Sequence, residues 1–158
     1  MGLKAILKNA NFSQVGYVVN DIEETKKQYA LLFDVMAPET MPCGDYEITQ
    51  TKVFGEAAPE ANCKLAFFNL TEGVQLELIE PNQAPSVWRD HLDKYGEGIH
   101  HIAFNVDDAD PVIDQLRKEY GAVVEQVGYY GDGSGRYIYL SLHDKLKCRI
   151  ELLESFSK

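Results

Sequence analysis

Gln14, Glu77, His101 and Glu151 are the residues of this 158-residue chain whose types and spacing could do chemistry together. One imidazole, two carboxylates and one amide oxygen form a mostly hard, oxygen-rich donor set, suited to a six-coordinate divalent ion rather than a closed tetrahedral zinc site. With four protein ligands, two positions on such an ion stay open for water or substrate. The cofactor expected is therefore one divalent metal ion, drawn from Zn, Ni, Co, Mn or Fe. Taken singly, a histidine in a strand is ordinarily structural and a glutamate in a strand ordinarily faces solvent. What joins these four is a repeat.

Ser13-Gln14-Val15-Gly16-Tyr17-Val18-Val19-Asn20-Asp21-Ile22 and, 87 positions on, His100-His101-Ile102-Ala103-Phe104-Asn105-Val106-Asp107-Asp108-Ala109 share one pattern: a strand, an acidic cap, then a helix. The helix after Asp21 aligns Ile22, Tyr29 and Phe33 on one face, and Asp110 followed by Pro111 reads as N-cap and first position ahead of Val112, Leu116 and Tyr120. Leu76-Glu77-Leu78-Ile79-Glu80 closes the first unit and Ile150-Glu151-Leu152-Leu153-Glu154 the second. Between start and end lie candidate strands over 46–54 and 65–69, and over 123–129 and 137–141. The expected fold is α+β: a single domain over 1–158 made of two βαβββ modules, 12–80 and 99–154, joined by a connector over 81–98. That connector holds a short amphipathic helix around Val87, Trp88 and Leu92.

Alternation along the strands sorts the side chains into faces. Ile102, Phe104 and Val106 suit packing beneath helices, whereas His101, Ala103 and Asn105 face the other way. In the first strand Gln14, Gly16 and Val18 share the helix-free face, as do Glu77 and Glu151 in the closing strands. Two buried carboxylates without partners would cost several kcal/mol, on the order of a lost ion pair each, and one cation satisfies both. Gly16 and Ala103, small and on the same face, are expected to leave room for substrate. His100 falls on the helix side and reads as structural, Glu80 and Glu154 face away, and His91 and His143 read as surface residues. The segment Gly128-Tyr129-Tyr130-Gly131-Asp132-Gly133-Ser134-Gly135-Arg136 reads either as a plain hairpin loop or as a flexible loop able to close over substrate, with Arg136 holding a carboxylate or phosphate.

A formal net charge of -10 argues against a nucleic-acid surface and for a small-molecule ligand, the lysines Lys4, Lys8, Lys26 and Lys27 being a solvated face. No apolar stretch reaches the ~20 residues of a membrane span and no signal-peptide core is present, so a cytoplasmic protein without a membrane role is expected. Cys43, Cys63 and Cys148, odd in number and without Cys-x-x-Cys spacing, read as reduced and mostly buried.

The tandem pattern, the segment Gly98-Ile99-His100-His101-Ile102-Ala103-Phe104 and the strand ends bearing Glu77 and Glu151 together resemble the vicinal oxygen chelate superfamily. Leu76-Glu77-Leu78-Ile79-Glu80-Pro81, Ala84-Pro85-Ser86-Val87 and Gly96-Glu97-Gly98-Ile99-His100-His101-Ile102 are most similar to methylmalonyl-CoA epimerases, then to glyoxalase I. The resemblance implies a half-open eight-stranded cup, commonly a homodimer, with one metal ligand from each of the first, fourth, fifth and eighth strands. Gln14 stands where His is commoner, although glyoxalase I enzymes can place Gln there. It implies an isomerase or lyase that moves a proton next to a metal-bound carbonyl of a carbonyl or thioester substrate. Glu151 and Glu77 are then the candidate bases, and Glu47, expected on the second strand, a candidate second base. Alternatives on the same fold are a lactoylglutathione lyase and a metal-free binding or resistance protein. An extradiol dioxygenase, which wants two His and one carboxylate on iron, fits less well, since this set offers one His.

Overall fold

The computed structural model describes residues 5–156, so Lys4 lies outside them. Two strands at the centre fix the architecture: β1 (Asn11–Val18) runs antiparallel to β7 (Gly98–Asn105). Each carries a parallel partner on its other side, β6 (Val74–Pro81) beside β1 and β10 (Arg149–Ser155) beside β7. Outward from β6 come β5 (Cys63–Thr71) and β2 (Met41–Pro42). Outward from β10 come β9 (Gly135–Ser141), β8 (Val123–Tyr129), β3 (Lys52–Val53) and β4 (Glu56–Ala57). The result is an α+β fold on one open sheet of ten strands where eight were expected: seven strands of seven to nine residues and three two-residue pieces.

Helices α1 (Ile22–Phe33) and α4 (Ala109–Tyr120) cover one face. Asp21 caps α1 by accepting from the Glu24 N–H at 2.9 Å, and Asp34 ends it in the left-handed region at φ 54°. Ile22 and Ala30 then pack on Phe68, Leu76 and Leu78, with Tyr29 and Phe33 stacked at 5.6 Å and both against Phe68. The cap of α4 is Asp108 rather than Asp110: its carboxylate accepts from the Asp110 N–H at 3.2 Å. Asp110 and Pro111 therefore fall inside the first turn, where the missing proline N–H leaves no bond unmade. Ile113 and Leu116 pack on Ile138, Leu140, Ile150 and Leu152.

The concave face is partly filled by α3 (Val87–Tyr95), the helix expected in the connector. Ser86 caps it, and Trp88 and Leu92 pack on Val18, Ile79 and Tyr139. Gln126 of β8 holds its first turn, accepting from the Val87 N–H at 2.9 Å and donating to the Tyr137 hydroxyl at 3.0 Å.

Of the strand expected over 46–54 only Lys52–Val53, β3, is formed. Tyr46–Thr49 is one helical turn, α2, closed by Gln50 at φ 46°, whose side-chain amide donates to the Tyr46 and Glu47 carbonyls. Four residues are too few for a period to decide between strand and helix, and these local bonds favour the turn. Residues 43–51 consequently leave β2 at one edge of the sheet and reach β3 beside β8 near the other, with Gly44 lying against Gly131 on the way. The last short helix is α5 (His143–Leu146).

Candidate metal centre

Register brings the four acceptor residues together. Gly16 is the Cα neighbour of Glu77 across the parallel pair and of His101 across the antiparallel pair. Ala103 is the neighbour of Glu151 and of Gln14 in the same relation. The pairing is thus symmetric about the β1/β7 seam, with two small residues beside the four candidate ligands. Gly16 does not serve as substrate room: a Cβ there would stand 2.0 Å from His101 Cε1, so the imidazole itself occupies that space. Ala103 is fully buried beneath the set and does not reach the cavity.

His101 Nε2 lies 3.0 Å from Glu151 Oε2, 3.2 Å from Glu77 Oε2 and 3.2 Å from Gln14 Oε1. All four side chains are buried, and Glu77, His101 and Glu151 form a group that could hold a metal ion. The Gln14 amide tests the fit. Its nitrogen donates to Gln75 Oε1 at 3.5 Å, which turns its oxygen toward two carboxylate oxygens and an imidazole nitrogen. Acceptors facing acceptors repel unless a cation sits between them; with the amide swapped, its nitrogen would instead donate to Glu151 and Glu77 at 3.0 and 3.1 Å. The donor set therefore fits a divalent ion, and in its absence a proton and a turned amide take over the same task.

Electrostatics say the same. Burial disfavours a charged His101, but the carboxylates of Glu151 and Glu77 outweigh it and push the imidazole up to about 10. Burial raises the Glu77 carboxyl, opposed by its contact with His101. Behind the ring, His101 Nδ1 and His100 Nδ1 are 3.0 Å apart and His100 Nε2 is 3.4 Å from the Val87 carbonyl. Burial holds His100 well below its ordinary range. It is then neutral, donates from Nε2 to Val87 and accepts the Nδ1 proton of His101, which aims Nε2 at the centre. This differs from the helix-side placement expected for His100. A register shift between Gly16 and Tyr17 leaves His100 as an extra residue in β7, and the bulge turns it toward α3, where it packs on His91 and Tyr139.

Above Gln14, Glu77 and Glu151 opens a cavity of about 560 Å³. Trp88, Tyr129, Tyr130, Tyr137, Tyr139 and Phe67 give it aromatic walls, and no Lys or Arg lines it among the described residues. Arg136 does not reach it. The residue alternates to the opposite face of β9, where its guanidinium is held by Glu154 and, at 2.8 Å, by Asp110. Glu47 stands exposed on α2, outside the cavity lining. His91 is buried, not on the surface: it accepts from Arg149 Nη1 at 2.6 Å, Arg149 pairs with Glu125 at 2.5 Å, and burial and Arg149 lower the imidazole to about 4. His143 is half-buried and stacks on Tyr95 at 5.8 Å. The tyrosines were within reach of sequence reasoning, since Tyr139 lies directly opposite Glu151 and so shares its face.

A cupped sheet with acceptors from four strands at its centre defines the class of protein. Residues 13–139 match the model of the Glyoxalase/Bleomycin resistance protein/Dioxygenase superfamily, and the chain belongs to that family. It is 29% identical over 99 residues to the uncharacterized protein YqjC of Bacillus subtilis (strain 168), covering 63% of this chain and 70% of that one. Among solved structures, hypothetical protein BH1468 of Bacillus halodurans C-125 is similar with a TM-score of 0.67 and 21% identity, over 96% of this chain and 98% of that one. Methylmalonyl-CoA epimerase of Mycobacterium tuberculosis is similar with a TM-score of 0.64 and 21% identity, over 99% and 94%. These likenesses establish the fold. Among the described residues no helix is long and apolar enough to cross a membrane.

Proposed function

We propose that the chain is a divalent-metal-dependent isomerase or lyase that moves a proton on the carbon next to a carbonyl, in the manner of a methylmalonyl-CoA epimerase. The observation that carries this reading is the convergence of Gln14 Oε1, Glu77, His101 Nε2 and Glu151 at the base of one cavity. A divalent ion bound there would supply positive charge to the oxygen of an enolising carbonyl. Gln14 and His101 hold the set together from opposite strands, and His100 keeps the His101 proton on Nδ1. Glu151, or Glu77, takes the proton from the substrate carbon, both carboxylates opening onto the cavity. Trp88, Tyr137 and Tyr139 exclude water and flank the reacting carbon. Because no Lys or Arg among the described residues lines the cavity, the phosphate-bearing tail of a thioester substrate lies outside its mouth, while the acyl end enters toward the candidate metal site.

One observation favours a second reading. Gln14 is a ligand type that the resemblance to glyoxalase I allows on the first strand, so a lactoylglutathione lyase activity is the alternative. A cytoplasmic homodimer of single-domain chains goes with either. The test is solvent deuterium exchange: incorporation beside the thioester of methylmalonyl-CoA supports the epimerase, and turnover of the methylglyoxal–glutathione adduct supports the lyase. Exchange into neither, with metal bound, overturns both in favour of a binding protein.

A further inference from the structure

Two of the three thiols lie together at the rim of the cup. Cys43 follows β2 and Cys63 opens β5, and the antiparallel register Met41↔Leu65, Pro42↔Lys64 continues to set Cys43 opposite Cys63. The Cys43 N–H donates to the Cys63 carbonyl at 3.1 Å, while the Cys63 N–H turns to Asn62 Oδ1 at 2.8 Å, so one of the two bonds of a cross-strand pair is made. Such partners have Cα atoms about 5.5 Å apart, inside the roughly 4.4–6.8 Å a disulfide spans. Directly opposed residues point to the same side; the Cys43 thiol, beside that of Cys63, donates to Asn62 Oδ1 at 3.2 Å. Cys43 lines the cavity and is half-buried; Cys63 is buried against Trp88 and Tyr139.

We propose that Cys43 and Cys63 are a reversible dithiol–disulfide pair that responds to peroxides at the mouth of the cup. The roles divide by environment. The neighbouring Cys63 thiol and backbone donors lower Cys43 to about 7 against its burial, while burial keeps Cys63 protonated. The Cys43 thiolate attacks one peroxide oxygen, the O–O bond breaks, and the released hydroxide takes a proton to leave as water. Cys63 then attacks the sulfur of the Cys43 sulfenic acid; the S–S bond forms, the S–O bond breaks, and a second water leaves with the Cys63 proton. Two thiols and one peroxide thus give one disulfide and two waters. The bond ties the start of the 43–51 crossing to β5, beside the cavity wall. Cys148, on the other face against the α4 core, has no thiol partner among the described residues and is raised by burial, so it serves as an internal reference.

The experiment treats the whole protein with hydrogen peroxide in the presence of a chelator, then alkylates and maps peptides by mass. The expected result is loss of two hydrogens per chain, a peptide linked through Cys43 and Cys63, alkylated Cys148, and recovery of all thiols with dithiothreitol. In Cys63→Ser, a dimedone probe labels Cys43. Prior oxidation of Cys148, a Cys43 link between two chains, or survival of all three thiols at a dose that oxidises free cysteine overturns the pair.

Discussion

Gly16→Ala puts a single methyl group where the geometry tolerates none. Its Cβ would stand 2.0 Å from Cε1, 2.4 Å from Nε2 and 2.5 Å from Nδ1 of His101. Carbon atoms in contact need roughly 3.5–4.0 Å, so the ring must withdraw by about 1.5 Å or more. The ring cannot withdraw freely, because His100 and Tyr139 pack against it. Overpacking of this kind costs about 1–3 kcal/mol, and at roughly 2–4 °C per kcal/mol for a chain of this size the melting temperature falls by about 2–12 °C. The effect on metal is larger than the effect on stability. Ligand distances tolerate only about 0.2 Å, and disturbing residues that merely support a ligand already costs about 10–100-fold in affinity. Displacing the ligand itself should weaken binding by more than about 100-fold. Competition against a chromogenic chelator measures the affinity, and circular dichroism reports that the variant is folded. A folded Gly16→Ala protein that binds metal within a factor of about 3 of the parent would show that the His101 ring does not need the space above Gly16.

Metal-free His101 carries a proton at neutral pH, since the two carboxylates push it up to about 10, and coordination requires Nε2 free. Metal binding at pH 7 should therefore release about one proton, read as the slope of calorimetric heat against buffer ionisation enthalpy, and a slope near zero contradicts it. Glu125→Ala strands the buried Arg149 guanidinium beside His91 and should cost about 3–5 kcal/mol in urea unfolding; a loss under about 1 kcal/mol would show that the pair is not desolvated. Arg136→Ala, by contrast, should leave KM for any substrate unchanged within about twofold, because its guanidinium is taken up by Glu154 and Asp110 on the far face. A tenfold rise in KM would return that arginine to the substrate.

The repeat made the centre of the fold legible. Gln14 and His101 occupy equivalent positions in equivalent strands, and alternation alone assigned Glu77 and Glu151 to the same face. Long strands with one buried face carry that information, because slipping by one residue exposes the whole apolar set. Where alternation broke, the reading broke: the bulge at His100 turned a residue counted as helix-side toward α3. The 46–54 stretch was too short for its period to count, and Gln50 bonding back to Tyr46 decided it locally. His91 looked superficial because its partners, Arg149 and Glu125, are distant in sequence and meet it only when α3 folds onto the sheet. The loop position of Arg136 suggests a substrate contact, whereas its place on β9, opposite Glu154, decides its direction.

If four strands hold one divalent ion between Gln14, Glu77, His101 and Glu151, elemental analysis of the purified protein beside His101→Ala will show it. About one metal per chain is expected, absent from the folded variant. No metal in either protein after incubation with nickel, cobalt, manganese, iron and zinc, or equal metal in both, would contradict it.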